Sequence, residues 1–132
     1  MENITKKPAL CLDFDGVLHS YKSGWHGANQ VLDPPVEGAI AFLREAVQHF
    51  EVSVYSARSH QLGGIPAMQR WLEYWIVQHR ATDDEDTSWM HMIQWPTYKP
   101  SAFVSLDDRT ITFTGVFPPI AELKRFKAWN KV

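Results

Sequence analysis

The chain has a single cysteine, Cys11, among its 132 residues, so no disulfide can form within it. Scarcity of cysteine is typical of proteins from reducing compartments. The segment 1–8 is polar and has no apolar signal region, and no uninterrupted apolar run reaches the length of a membrane span. We therefore expect a cytoplasmic protein with no membrane partner.

The chain also lacks internal repeats, low-complexity tracts and an excess of charge of one sign. Its net charge of −2 provides no general attraction to nucleic acid or to an anionic membrane. An apolar fraction of 45% and a charged fraction of 21% are ordinary for a globular protein. At this length we expect residues 1–132 to form one domain with its own hydrophobic core.

What the chain does contain is an alternation of strand and helix patterns. Short apolar runs predict strands at 9–14, 51–55, 90–94, 102–106 and 110–114. Apolar residues at helical spacing predict helices at 36–50, 63–79 and 120–129. Such alternation is typical of a three-layer, Rossmann-like α/β sandwich with a mainly parallel, five-stranded sheet. The polar stretch 19–35, called the flap below, is predicted to be a loop.

Two pairs of acidic residues follow predicted strands. Asp13 and Asp15 come at the end of the first strand, and Asp107 and Asp108 follow the strand at 102–106. Because the carboxyl ends of parallel strands meet at the same edge of a sheet, we expect these four carboxylates to converge. Converging carboxylates repel one another unless a hard divalent cation neutralises them. The pattern therefore predicts a Mg²⁺ site.

A carboxylate in such a site can act as a covalent nucleophile toward a phosphate ester. Residues i and i+2 of a strand share a face, so the spacing of Asp13 and Asp15 suits an attacking group with a proton donor beside it. The hydroxyl of Ser56, at the end of the second strand, and the cation of Lys99 are candidates for holding phosphate oxygens.

Four segments of the chain resemble, in the same order, the four signature motifs of the haloacid dehalogenase superfamily. Residues 13–17 (Asp-Phe-Asp-Gly-Val) resemble the first motif and residues 52–56 (Val-Ser-Val-Tyr-Ser) the second. Lys99 resembles the lysine of the third motif, and residues 104–108 (Val-Ser-Leu-Asp-Asp) resemble the fourth. The resemblance implies a Mg²⁺-dependent phosphatase that acts on phosphoric monoesters through a phospho-aspartate intermediate.

The resemblance also implies a role for each matched residue. Asp13 would be the nucleophile and Asp15 the general acid and base, while Ser56 and Lys99 would bind phosphate. The implied metal ligands are Asp13, Asp15 through its backbone carbonyl, Asp108, and Asp107 beside them or sharing the ligation.

The substrate is less well indicated than the chemistry. The gaps in which members of the superfamily carry a cap domain are short here, so we expect no large cap. Capless members often act on larger substrates, such as phosphorylated nucleic-acid ends or proteins. Arg58 and Arg109 are similar to arginines of the polynucleotide 3′-phosphatase branch, and with Trp25 of the flap they are candidate substrate contacts.

Alternatives remain open at this stage. A carbon–halide hydrolase of the same superfamily is disfavoured by Asp15, which those enzymes generally lack. A catalytically silent phosphate-binding or interaction module is compatible with the same residues. Ser56 also fits a loop-start hydroxyl, and Lys99, Arg58 and Arg109 also fit solvated surface positions. His19, His26 and His60 lie near these motifs in the sequence, but none has a metal-ligand spacing, and we interpret them as loop residues.

Overall fold

A computed structural model describes residues 6–130 of the chain. Its strands are β1 (Ala9–Leu12), β2 (Glu51–Val54) and β3 (Val104–Leu106). Its α-helices are α1 (Ala39–His49), α2 (Gly64–Gln78) and α3 (Ile120–Lys124), and a 3₁₀ helix spans Ser88–Met92. The fold is therefore α/β, as predicted. The predicted domain also includes residues 1–5 and 131–132, which lie outside the described residues.

The strands form a parallel sheet in the order β2-β1-β3, with β1 in the centre. Leu12, the last residue of β1, pairs with Val54 on one side and with Leu106 on the other. The three strands therefore end level with one another. Whatever follows each strand lies at the same edge of the sheet, which is the arrangement that parallel strands with crossover connections produce.

The hydrophobic core lies between the sheet and the two longer helices. α1 and α2 each bury apolar residues three or four positions apart, so that one face of each helix is covered. The side chains that are completely buried include Leu12, Phe14, Leu43, Val54 and Met68. Trp71 is also part of this core, as its helical spacing predicts. This packing fixes the positions of β1 and of the loops at its end.

The predicted five-stranded sheet is not confirmed, since the described residues form three strands. The run 90–94 lies mostly in the 3₁₀ helix, and only Gln94 joins the sheet, by a single bridge to Ser53. Pro96 follows almost at once and cannot donate a ladder hydrogen bond, which limits any extension. The run 110–114 is irregular and pairs with no strand among the described residues, and its apolar residues Ile111 and Phe113 are exposed.

The last predicted helix is shorter than its pattern suggests. α3 ends at Lys124, and the chain turns back so that Ala128 becomes buried. The indole Nε1 of Trp129 then donates a hydrogen bond of 2.8 Å to the carbonyl of Gly16. This long-range contact competes with continuation of the helix. No helix among residues 6–130 is long and apolar enough to cross a membrane.

Candidate active site

Three of the four predicted acidic residues meet at the edge where β1 and β3 end. Asp13 follows β1 directly, and its backbone N–H donates to the carbonyl of Leu106 at 3.0 Å. Asp107 and Asp108 follow β3. A carboxylate oxygen from each of the three lies within 4.8 Å of the others. We call Asp13, Asp107 and Asp108 the acidic triad.

Gly16 allows Asp108 to come this close to the loop after β1. Its φ of +84° lies in the left-handed region, which glycine adopts without strain. A Cβ at this position would overlap the carboxylate of Asp108. Both the turn and the close approach therefore require glycine here.

The environment of Asp13 opposes its ionisation. Burial has the largest effect, and a hydrogen bond with Asp108 and the negative charges of Asp107 and Asp108 act in the same direction. The backbone N–H of Phe14 donates to Asp13 Oδ1 at 2.8 Å and acts the other way. The net result raises the pKa of Asp13 to about 8, so this carboxyl holds a proton at neutral pH.

The acidic triad has the donor chemistry that a hard divalent cation requires. All of its candidate ligand atoms are carboxylate oxygens, which Mg²⁺ prefers. The Oδ1 atom of Asp108 is buried, and it has no hydrogen-bond partner among the described residues. A cation would satisfy this oxygen and offset the burial and the repulsion that together keep a proton on Asp13. The carboxylate of Asp15 lies outside the triad.

Asp13 borders two small cavities, which also share Ser56 and Ala57. The first, of about 160 Å³, is lined by Lys99 and Asp107, and we call it the lysine cavity. The second, of about 200 Å³, is lined by Asp15, Tyr21, Trp25, Asp108, Arg109 and Asn130, and we call it the tryptophan cavity. A wider cleft of about 440 Å³ lies between α1 and α2, but no member of the triad lines it.

Lys99 and Ser56 occupy different environments in the lysine cavity. Burial raises the pKa of the Cys11 thiol, which also lines this cavity. Lys99 is close enough for its positive charge to act in the other direction and lower that pKa. Ser56 is buried, and its Oγ accepts a hydrogen bond from the N–H of Arg58 at 2.9 Å. The Ser56 hydroxyl thus shapes the loop after β2, while Lys99 supplies a positive charge near Asp13.

Arg58 is completely buried, and its guanidinium contacts Asp15. Its Nε donates to Asp15 Oδ2 at 2.9 Å, and its Nη2 donates to Asp15 Oδ1 at 3.2 Å. Its Nη1 donates to three carbonyls of the flap, those of Gly27, Ala28 and Gln30. Arg58 therefore joins the flap to Asp15, and none of its surface is available to a ligand.

His19 completes the arrangement around Asp15. The N–H of Asp33 donates to His19 Nε2 at 3.1 Å, so this nitrogen carries no proton. The other nitrogen, Nδ1, then holds the proton and donates it to Asp15 Oδ1 at 2.8 Å. His19 is in a loop, as interpreted from the sequence, but its ring is buried and orients a site residue. All the hydrogen bonds described for the Asp15 carboxylate are donated to it.

The remaining predicted contact residues lie on the wall of the tryptophan cavity. Trp25 is 46% exposed, and its ring lies against the guanidinium of Arg58. The guanidinium carbon, Cζ, is 4.9 Å from the centroid of the Trp25 ring. Arg109 is exposed and lies over the ring of Phe126 at 5.8 Å. Both side chains line the space next to Asp13 and Asp15, which suits contact with a ligand.

Two residues of this wall have no signal in the sequence. Tyr21 has a φ of 60°, which is strained for a residue with a side chain, and strained positions cluster at functional sites. Burial, and then the negative charge of Asp15, raise the pKa of its phenol. Asn130 reaches the cavity from more than a hundred residues further along the chain. No spacing rule relates either residue to the acidic motifs.

Loss of Arg58 is expected to destabilise the fold strongly. The substitution Arg58→Met would leave the Asp15 carboxylate and three flap carbonyls without their buried donor, at a cost of about 3–5 kcal/mol. Arg44→Met is the matched control, because Arg44 is 54% exposed in its ion pair with Glu85 and should contribute less than about 1 kcal/mol. Urea unfolding of both variants measures the difference, and equal losses would contradict the anchoring role.

The raised pKa of Asp13 predicts a pH-dependent effect of Asp13→Asn on stability. The unfolded chain loses this proton near pH 3.8, whereas the folded protein keeps it until about pH 8. The stability contributed by Asp13 is therefore complete below pH 3.8 and is lost as the pH rises to about 8. In EDTA, the melting temperature of Asp13→Asn should exceed that of the wild type by a margin that grows over this interval. A margin independent of pH would show that Asp13 titrates normally.

No family model, curated protein or solved structure matches this chain. The functional assignment therefore rests on the geometry of the acidic triad and the two cavities beside it.

Proposed function

We propose that this chain is a Mg²⁺-dependent phosphomonoester hydrolase that works through a phospho-aspartate intermediate on Asp13. The observation that carries the proposal is the position of Asp13. One of its carboxylate oxygens lies within 4.8 Å of an oxygen of Asp107 and of Asp108, and Asp13 also borders two cavities. A nucleophile for phosphoryl transfer needs a neutralising cation on one side and room for phosphate and leaving group on the other. The proposal includes membership of the haloacid dehalogenase superfamily, with its Rossmann-like fold and no large cap.

Asp13, Asp107 and Asp108 would hold the metal, and the backbone carbonyl of Asp15 is the further ligand that the motif resemblance implies. Bound Mg²⁺ supplies positive charge that favours the ionised form of Asp13 and offsets the charge of the phosphate. The N–H of Phe14 orients the Asp13 carboxylate through Oδ1. Lys99 contributes further positive charge from the lysine cavity, where the phosphate oxygens would lie.

The reaction proceeds in two displacements. With Asp13 ionised and Asp15 protonated, an oxygen of Asp13 forms a bond to phosphorus as the ester P–O bond breaks, and the leaving alkoxide takes the proton of Asp15. Water then attacks the phospho-Asp13 group and gives a proton to Asp15, releasing inorganic phosphate and restoring Asp13. Asp15 lines the tryptophan cavity, so the alcohol would leave through that cavity.

The hydrogen bonds around Asp15 suit the second displacement. Arg58 and His19 donate to both carboxylate oxygens and fix their orientation. A fixed orientation reduces the rearrangement needed when Asp15 takes a proton from water. Arg58 and His19 are thus positioning residues, because they act through Asp15 rather than on the substrate.

The described residues around the two cavities do not limit the size of the substrate. Most side chains from Tyr98 to Lys127 are exposed, and the described residues form no cap over the two cavities. Only the phosphate and the adjoining atoms need to enter. A phosphorylated small molecule, nucleic-acid end or protein would fit this description.

Hydrolysis of p-nitrophenyl phosphate tests the proposal. We expect Mg²⁺-dependent release of phosphate by the wild type, abolished by EDTA and restored by Mg²⁺. Asp13→Asn should lower kcat by a factor on the order of 10⁴ or more, because it removes the nucleophile. Asp84→Asn is the matched control, since Asp84 is exposed in a loop and lines neither cavity, and it should retain full activity.

Each other outcome has a distinct meaning. Full activity of a pure Asp13→Asn preparation would exclude Asp13 as the nucleophile. Mg²⁺-dependent binding of phosphate without turnover would identify a silent phosphate-binding module instead. Hydrolysis that is indifferent to EDTA would contradict the metal requirement.

A further inference from the structure

The flap supplies an aromatic wall to the tryptophan cavity. The side chains of Tyr21 and Trp25 line this cavity with Ala57, and most of the surface that the cavity presents is apolar. Asp13 and Asp15 line the same cavity. The cavity therefore adjoins the reacting carboxylates and presents a mainly apolar surface to the group that is attached to the phosphate.

Two contacts fix the aromatic wall relative to Asp15. The guanidinium carbon of Arg58 is 4.9 Å from the ring centroid of Trp25, and the Nε of the same guanidinium donates to Asp15 at 2.9 Å. The ring of Tyr21 packs edge-on against His19, with the two centroids 5.9 Å apart. His19 in turn donates from Nδ1 to Asp15 at 2.8 Å. A leaving group that takes its proton from Asp15 would therefore lie beside these two rings.

Trp25 keeps a large accessible surface despite its contact with Arg58. Trp25 is 46% exposed, whereas Arg58 is completely buried. The guanidinium covers part of the indole, and the rest of the indole borders the cavity and solvent. A ligand in the cavity can therefore reach the indole as the structure stands. Covering it removes apolar area from water, and an aromatic ligand gains a further contribution from the packing of ring against ring.

The cavity has room for one six-membered ring. Its volume of about 200 Å³ exceeds that of an apolar cavity of about 150 Å³, which is enough to bind benzene. A ring joined directly to the ester oxygen would enter it, because Asp13, the proposed nucleophile, borders the same space. In a nucleotide the sugar is next to the phosphate, so the sugar and not the base would meet the aromatic wall.

We propose that the tryptophan cavity binds an aromatic ring of the leaving group, and that Trp25 is the specificity-determining residue for this ring. The favoured substrates are then phosphate monoesters of phenols. This inference rests on the proposed phosphatase function, to which it adds the substrate class and the role of the flap.

Two inhibitors that cannot be hydrolysed separate recognition of the ring from reactivity of the ester. Benzylphosphonate has the shape of phenyl phosphate with a methylene in place of the ester oxygen, and cyclohexylmethylphosphonate is its saturated counterpart. Inhibition of the Mg²⁺-dependent hydrolysis of p-nitrophenyl phosphate gives a Ki for each. We expect the wild type to bind benzylphosphonate about 5-fold more tightly, because packing between aromatic rings adds to the burial that both compounds share.

Three variants assign this preference to Trp25. Trp25→Leu should bring the ratio of the two Ki values to about one and leave the Ki of inorganic phosphate unchanged, since phosphate alone has no ring to pack. Trp25→Phe keeps an aromatic face and should retain most of the preference. Tyr74→Leu is the control, because Tyr74 is 56% exposed and lines neither cavity, and its ratio should equal that of the wild type.

The outcomes distinguish this inference from the function on which it rests. Hydrolysis of p-nitrophenyl phosphate by a wild type that binds both phosphonates equally, or the saturated one more tightly, would overturn the substrate class and leave the phosphatase proposal standing. A wild-type preference that persists in Trp25→Leu, or a parallel loss of inorganic phosphate binding in that variant, would overturn the role of Trp25. A wild type that does not hydrolyse p-nitrophenyl phosphate would overturn both proposals.

Discussion

The gathering of three carboxylates in a partly buried place is the constraint on which the rest of this site depends. Asp13, Asp107 and Asp108 are brought within 4.8 Å by the level ends of β1 and β3 and by the absence of a side chain at Gly16. In a partly buried setting these groups cannot all be ionised without a compensating charge. Without a cation the site compensates by keeping a proton on Asp13. A divalent cation in the same place would release that proton and leave Asp13 ionised, as its proposed role of nucleophile requires.

The carboxylate of Asp15 has different surroundings from those of the acidic triad. Asp15 is surrounded by donors, with Arg58 and His19 each contacting its carboxylate. Arg58 extends this contact to three carbonyls of the flap, so the flap and Asp15 form one buried polar network. The two neighbouring carboxylates therefore have different surroundings, since Asp13 lies among other carboxylates and Asp15 among hydrogen-bond donors. A nucleophile has to be ionised, so Asp13 could take the proposed role only once a cation has replaced its proton.

The sequence predicts the parts of this arrangement that follow from regular structure. Strand-end carboxylates converge because parallel strands end at one edge, and α1 and α2 follow from helical spacing of apolar residues. The runs 90–94 and 110–114 look equally strand-like, but a strand also needs a partner and a covered face, which a local pattern does not reveal. The burial of Arg58 and the arrival of Asn130 depend on contacts between distant segments. Those contacts leave no periodic signal.

Calorimetric titration of the metal-free protein with Mg²⁺ at pH 7 tests the central claim most directly. Repeating the titration in buffers with different ionisation enthalpies gives the number of protons released on binding. Because the pKa of Asp13 is about 8, the account predicts release of close to one proton per bound ion in the wild type and almost none in Asp13→Asn. Absence of Mg²⁺ binding, or binding that releases no proton from the wild type, would contradict it.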